Sequence, residues 1–250
     1  MKNPKISIIT VVKNNQKLIE RNILSLLNQK YKNYEQIIID GKSSDGTIEI
    51  IEKYRKHIAH FISEEDDGLY YAMNKGIDLA SGEIIGILNS DDYYYENALE
   101  IVKNYFEEKP KLDFLFGSVI KSTLQHGFYP KKIYRTFGFY TTHSVGFFIK
   151  TKSQKKLGYY NTRYKYSSDY DLFYRMIVKY KMLGASTKKN EILGFFEPDG
   201  FSSKIKYIDY LNENTQIRLD NGQNKIIVWL IHFLRLSKKI FIVMKESKKK

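Results

Sequence analysis

The sequence predicts an α/β fold built on a mostly parallel sheet flanked by helices, and three observations carry that prediction. Short apolar runs of strand length recur along the first half of the chain, at residues 6–12, 36–40, 60–64 and 84–88. Successive runs are separated by stretches in which apolar residues return every three or four positions, the spacing of one helix face. Most of the runs are apolar at consecutive rather than alternate positions, as expected of strands covered on both faces. Strand–helix alternation of this kind argues for right-handed crossovers between parallel strands.

Taken in order, Ile6-Ser7-Ile8-Ile9-Thr10-Val11-Val12 is β-branched and reads as the first strand. Asn14 or Asn15 can cap the next helix, in which Ile19, Ile23, Leu26 and Leu27 share a face. Gln36–Asp40 is the second strand, and the loop Gly41–Gly46 leads into a helix through Ile48, Ile51 and Tyr54, with Asp45 placed to cap it. His60–Glu64 is the third strand. Gly68–Ser81 reads as a helix whose small residues Ala72, Gly76 and Ala80 permit close packing on a sheet. Glu83–Leu88 is the fourth strand, and Glu96 begins another helix. Beyond residue 110 the pattern loosens: 114–120 and 144–149 are strand candidates, and Ser168–Tyr180 is a helix with Leu172, Met176 and Tyr180 in register.

A length of 250 residues with 42% apolar content suits one domain with a sizeable core plus a C-terminal appendage. The absence of cysteine excludes a disulfide framework and a thiolate metal site, which suits a reducing cytoplasm. Met1-Lys2-Asn3-Pro4 runs directly into the first strand without a signal-peptide core, and no stretch has the roughly 18–20 apolar residues of a membrane span. The net charge of +13 raises nucleic acid, anionic membranes and phosphorylated ligands as partners. Much of the excess sits in the tail, where eight basic residues from Lys225 onward face only Glu246. A GxxxxGK[ST] loop, a GxGxxG turn after the first strand and an HExxH helix are all missing, which counts against P-loop, dinucleotide-binding and zincin readings.

Asp40, Glu64 and the pair Asp91–Asp92 all fall at strand C-terminal ends, the edge where open α/β sheets bind ligands. Carboxylates gathered there repel one another unless a cation and a polar ligand share the site. Taken alone, Ser90-Asp91-Asp92 also reads as a solvated turn. At a strand end it equally suits Mg²⁺ or Mn²⁺, which takes one or two carboxylates together with phosphate oxygens.

Four segments, Ile6–Val11, Ile37–Thr47, Asp67–Gly76 (DGLYYAMNKG) and Leu88–Asp92 (LNSDD), resemble family 2 glycosyltransferases of the GT-A fold in wording, order and spacing, over roughly residues 5–200. The resemblance implies a nucleotide-sugar donor such as a UDP-sugar, a divalent metal (Mn²⁺ or Mg²⁺) and inversion at the anomeric carbon. It implies that Thr10 and Val12 line the base pocket, that Asp40 contacts the nucleobase or ribose, and that Asn74 lies near the nucleotide. Asp91 and Asp92 match the metal–diphosphate motif; because Ser90 stands where the strict DxD form has its first acid, Asp92 is the expected metal ligand and Asp91 the ribose or water-mediated contact. His143 matches a histidine near the donor diphosphate. Asp169 aligns with the general base, with Asp171 as its rival two residues on; Ser168 or Asp169 could also be an N-cap and no more. Tyr71 departs from the pattern, since close relatives often carry an acid there.

These implications divide the chain into a GT-A domain at 1–204, with a nucleotide-sugar half at 1–110 and an acceptor half at 111–204, and a basic amphipathic helical tail at 205–250. In a helix over 225–246, Ile226, Trp229, Leu230, Phe233, Leu236, Ile240 and Phe241 share a broad face opposite His232, Arg235, Lys238 and Lys239. That pattern suits an anionic membrane surface, hence a cytoplasmic enzyme peripheral at the inner face of the cell membrane with a glycan or lipid-linked acceptor. It equally suits packing on the domain or a partner chain. Nucleic acid is not expected, because acids rather than lysines mark the presumed site. A polyanion-binding protein and a metal-dependent nucleotidyltransferase are the rival functions, and the oligomeric state is left open.

Overall fold

The computed structural model describes residues 2–134, 142, 144–200, 203 and 205–247. In chain order, the first half comprises β1 (Ile6–Val12), α1 (Ile19–Leu27), β2 (Tyr34–Asp40), α2 (Thr47–Lys53), β3 (His60–Ser63), α3 (Leu69–Leu79) and β4 (Ile84–Ile87). The short β5 (Tyr93–Tyr94) and α4 (Ala98–Glu108) follow. The second half comprises β6 (Phe114–Phe116), β7 (Ser118–Ile120), β8 (Leu124–Gln125), β9 (Phe147–Lys150), α5 (Thr151–Leu157), α6 (Ser168–Tyr174), β10 (Gly184–Ser186) and β11 (Ile192–Phe195). Two helices close the chain, α7 (Tyr207–Asp220) and α8 (Lys225–Ser247).

The seven-stranded central sheet has the order β10-β6-β9-β4-β1-β2-β3. β1 pairs in parallel with β2 and β4, β2 with β3, and β10 with β6, while β9 runs antiparallel to both neighbours. Every residue of β1 is buried, and its two faces serve different layers. Ile9 and Val11 pack with Tyr70 and Met73 of α3 and with α6. Ile6 and Ile8 pack with Leu99, Val102 and Phe106 of α4. The fold is therefore the mostly parallel α/β sheet that the consecutive apolar runs predict. Gly76 explains how closely α3 lies on it: a Cβ there would stand 2.3 Å from Ile9 Cγ2.

Three expectations are corrected. The run 114–120 is not one strand but two in different sheets, β6 in the central sheet and β7 in a four-stranded sheet of order β5-β11-β7-β8. The break falls at Gly117, where a Cβ would lie 2.0 Å from Leu193 Cδ1, so only glycine lets the chain cross β11 there. The helix expected over 168–180 is α-helical only to Tyr174 and then widens into a π turn, Arg175–Lys179, where Arg175 reaches the carbonyls of Leu157 and Tyr159 (2.7 Å each). Neither Asn14 nor Asn15 caps α1 with its side chain. Asn14 sits at φ 51° and accepts from the Ser44 N–H (2.9 Å), while the Asn15 amide donates to Ser90 Oγ (2.9 Å). Both stitch the strand-end loops together. Asp45 stands one residue before the N-cap Gly46 of α2 and accepts from Thr47 N–H (3.2 Å) and Thr47 Oγ1 (2.5 Å).

Candidate active site

Because β1, β2 and β4 are parallel and in register, with Val12 opposite Asp40 and Ile9 opposite Ile87, their C-terminal ends open along one edge. A cleft of about 1500 Å³ lies outside that edge. Val12, Lys13, Asn15 and Asn89–Asp91 line it from the strand ends; Tyr70, Arg163, Asp169, Tyr207 and Tyr210 line the opposite wall. Among the described residues, six carboxylates (Asp66, Asp67, Asp91, Asp169, Glu197, Asp199) face it against Lys13, Lys121, Arg163 and Lys165. That balance is wrong for a polyanion groove and leaves room for a cation.

The turn after β4 is held by a buried polar network. Asn22, on the inner face of α1, donates its amide to the carbonyls of Asn89 (2.8 Å) and Asp92 (3.0 Å). Asn22 Oδ1 in turn accepts from Gln36 Nε2 (3.2 Å) and from Thr10 Oγ1 (3.4 Å). Arg21 fixes the same turn from outside, donating to the Asp91 carbonyl (2.7 Å) and pairing with Glu197 (2.9 Å). The two acids then diverge. Asp91 lines the cleft, its Oδ2 lying where a Cβ on Gly200 would stand 2.2 Å away. Asp92 is 1% exposed and faces inward, accepting from the Ser144 hydroxyl and from the Glu197 N–H (2.9 Å). Burial, and then the charge of Asp91, push the Asp92 carboxyl up to about 8. Asp91, and not the expected Asp92, is thus the acid of the pair that lines the cleft, and Asp92 is an internal hydrogen-bond acceptor.

Asp169 and Asp171 likewise lie in different surroundings. Asp169, in the first turn of α6, lines the cleft and accepts from the Tyr70 hydroxyl (3.3 Å) and the Tyr170 N–H (2.9 Å). Tyr70 is held well above the usual phenol range by burial and by the charge of Asp169, so it stays a donor. Asp171 is buried on the far side of the helix, paired with Arg175 (2.8 Å) and accepting from the Asn221 amide (2.9 Å).

Of the remaining expected residues, Val12 lines the cleft. Thr10 does not: it is fully buried and belongs to the Asn22–Gln36 network. Asp40 is fully buried as well, its carboxylate accepting from Ser43 N–H (2.9 Å), Ser43 Oγ (2.5 Å) and Ser63 Oγ (2.6 Å). It shapes the 41–46 loop, and its neighbour Gly41 reaches the cleft in its place. Asn74 does not line the cleft either; it is half-buried and exchanges two 3.0 Å hydrogen bonds with the Tyr160 backbone. His143 lies outside the described residues.

Sequence reasoning missed Asn22, Arg21, Tyr70 and Gly200. Asn22 alone carried a signal, a polar residue inside the apolar stripe Ile19–Ile23–Leu26. The others act across long chain separations, Gly200 lying 109 positions from Asp91.

A sequence model of glycosyl transferase family 2 matches residues 7–175. WcaA of Escherichia coli K12, a glycosyl transferase named for colanic acid biosynthesis, is 30% identical over 191 residues, spanning 71% of this chain and 68% of its own. Among solved structures, Staphylococcus aureus TarS 1–349 in complex with UDP-GlcNAc superimposes with a TM-score of 0.67 at 17% identity, covering 91% of this chain and 70% of that one. This chain spans only 42% of the longer TarS chain. The mannosyltransferase PcManGT of Pyrobaculum calidifontis, in complex with GDP-Man and Mn²⁺, superimposes with a TM-score of 0.64 at 18% identity, covering 93% and 70%.

Proposed function

The chain belongs to glycosyl transferase family 2 and is a glycosyltransferase, and from that premise we propose that it moves a sugar from a UDP-sugar to an acceptor hydroxyl, with inversion, in the assembly of a cell-surface polysaccharide. The observation that carries the reading is that Asp91, after β4, and Asp169, on α6, line one cleft at the C-terminal edge of the sheet. One acid serves the donor and the other the acceptor. The name of WcaA supports a polysaccharide product, and the UDP-GlcNAc complex of TarS supports the donor class.

Asp169 is the base. As the acceptor oxygen bonds to the anomeric carbon, its proton passes to the Asp169 carboxylate and the bond to the diphosphate oxygen breaks, the electron pair leaving with the nucleoside diphosphate. Tyr70 donates to Asp169 and so fixes which carboxylate oxygen faces the acceptor. A single displacement needs no protein nucleophile beneath the anomeric carbon, and it inverts the configuration there.

The residues present fit a divalent cation, Mn²⁺ or Mg²⁺. Asp91 lines the cleft beside Gly200, where an added Cβ would collide with its Oδ2. Among the described residues no three His, Asp or Glu side chains converge as a ready cage. One carboxylate is the donor set suited to an ion that takes its other ligands from diphosphate oxygens and water. Bound there, it would neutralise charge building on the leaving diphosphate. The Mn²⁺ complex of PcManGT supports the same assignment.

The test is the purified chain with Mn²⁺ or Mg²⁺ against a panel of nucleotide sugars and glycan or lipid-linked acceptors. UDP release, with a product of inverted anomeric configuration by proton NMR, is expected. Release of pyrophosphate from a nucleoside triphosphate, with no nucleoside diphosphate from any sugar donor, would overturn the reading in favour of nucleotidyl transfer.

A further inference from the structure

Helix α8 sits on the body of the protein the wrong way round. An amphipathic helix normally buries its apolar stripe and turns its charges to water. Here the polar edge is the docked one. His232 is 7% exposed and its Nδ1 pairs with Thr215 Oγ1 of α7 (2.9 Å). The Arg235 carbonyl accepts from Tyr207 (3.4 Å), and the Lys239 ammonium lies over the Tyr207 ring (5.7 Å). Val228 is the one fully buried apolar side chain described on α8.

The apolar side chains are left outside. Ten large ones on α8 are exposed, among them Ile226 (80%), Leu230 (57%), Phe233 (58%), Leu234 (61%) and Phe241 (68%). At the helical repeat most of them fall within an arc about 160° wide, with only Ser237 polar inside it. Elsewhere among the described residues, the exposed large apolar side chains are mostly tyrosines, whose hydroxyls can meet water. A continuous stripe of this kind marks an interaction surface.

We propose that this outward face of α8 lies in the headgroup region of an anionic bilayer, the helix parallel to the membrane plane. Charge selects the occupant. From Lys225 to the C-terminus eight basic residues stand against Glu246, so two copies of the helix face to face would bring like charge together, whereas anionic lipid would attract both charge and stripe. Lys238 and Lys245 fall at the border of the apolar arc, where their stems can lie along the acyl boundary and their ammonium groups reach lipid phosphates. No described helix is long and apolar enough to cross a membrane, so the helix rests on the surface. The contacts that dock α8 also touch Tyr207, a residue of the cleft wall. The cleft is therefore one helix removed from the lipid, a position suited to an acceptor that is itself lipid-linked.

Trp229 is the only tryptophan of the chain and is on the outward face, 45% exposed, so its fluorescence reports the event directly. The full chain is mixed with vesicles of phosphatidylcholine alone, or of phosphatidylcholine and phosphatidylglycerol in equal parts, and floated on a density gradient. Flotation with the anionic vesicles, a blue shift of Trp229 emission and weakening of both by salt are expected. Leu230→Asp and Phe233→Asp, both at exposed positions, should each weaken binding at least about tenfold. Lys238→Glu with Lys245→Glu should weaken binding to anionic vesicles more than about tenfold while leaving apolar burial untouched. Absence of both flotation and blue shift overturns the proposal. So does a lipid-free dimer by ultracentrifugation in which Trp229 is already shielded and Phe233→Asp yields monomer. Because the readout is binding, the proposal can fail while sugar transfer stands, and the reverse.

Discussion

Gly200 and Asp91 are 109 residues apart in sequence, yet a single methyl group on Gly200 would stand 2.2 Å from Asp91 Oδ2. The Asp91 carboxylate can therefore lie against position 200 because that residue has no side chain. Gly200→Ala should push the Asp91 carboxylate aside with little change in thermal stability, since Gly200 lies at the cleft rim rather than in the core. A displacement of about 1 Å at a reacting centre costs on the order of 100-fold in turnover. The comparison to make is kcat and the half-saturating Mn²⁺ concentration of Gly200→Ala and Asp91→Asn. Unchanged values in both would remove Asp91 from the donor site.

Asp169 and Asp171 should separate catalysis from stability. Asp169→Asn keeps the size of the side chain and removes the proton acceptor, so kcat should fall by about 10²–10⁴-fold with donor KM nearly constant. Asp171→Ala leaves Arg175 without its buried partner and should cost about 3 kcal/mol of stability, with kcat little affected at temperatures where the protein stays folded. Denaturant titration beside initial-rate kinetics distinguishes the two. A larger kcat loss in the Asp171 variant would exchange the roles.

Much of the fold could be read from the sequence because its signals are local. The consecutive apolar runs of β1, β2 and β4 and the small-residue face of α3 each report their own burial. The site was legible only in part, for a physical reason. The position of an acid at a strand end places it at the right edge, but not on the right side of that edge. Asp40 ends β2 and Asp91 and Asp92 lie in the turn after β4, yet only Asp91 lines the cleft. The other two are turned inward by partners, Ser63 and Ser144, that lie 23 and 52 residues away. The same limit hid the orientation of α8. Its amphipathic pattern was plain, but which face is docked depends on Thr215 and Tyr207 of α7.

Asn74 illustrates how a polar residue near a nucleotide motif can serve the fold instead of the cleft. Its amide clamps both backbone groups of Tyr160, whose ring stacks on Tyr70 at 5.4 Å. Asn74→Ala would leave a buried N–H and carbonyl unpaired, a destabilisation of about 2 kcal/mol. Donor KM should not move, because Asn74 does not line the cleft. A rise in donor KM with unchanged stability would return Asn74 to the nucleotide site.

Asp92 makes a pH-dependent contribution whose sign is fixed by its environment. Burial and the Asp91 charge raise its carboxyl to about 8, so the folded chain holds that proton at pH values where the unfolded chain has released it. Below the ordinary carboxylate range both states are protonated and the contribution is fully present. As pH rises from there toward about 8 the folded state binds more protons than the unfolded, and stability is lost. Above about 8 both are ionised and the slope vanishes. Asn in this position can still accept from the Glu197 N–H and can donate to Ser144 Oγ, while removing the titration. Asp92→Asn should therefore match the wild type at low pH and exceed its melting temperature increasingly toward pH 8. The measurement is a melting series across that range with chelator present, so that no cation at Asp91 perturbs the neighbouring carboxyl. Parallel curves for the two proteins would show that Asp92 is already ionised in the fold.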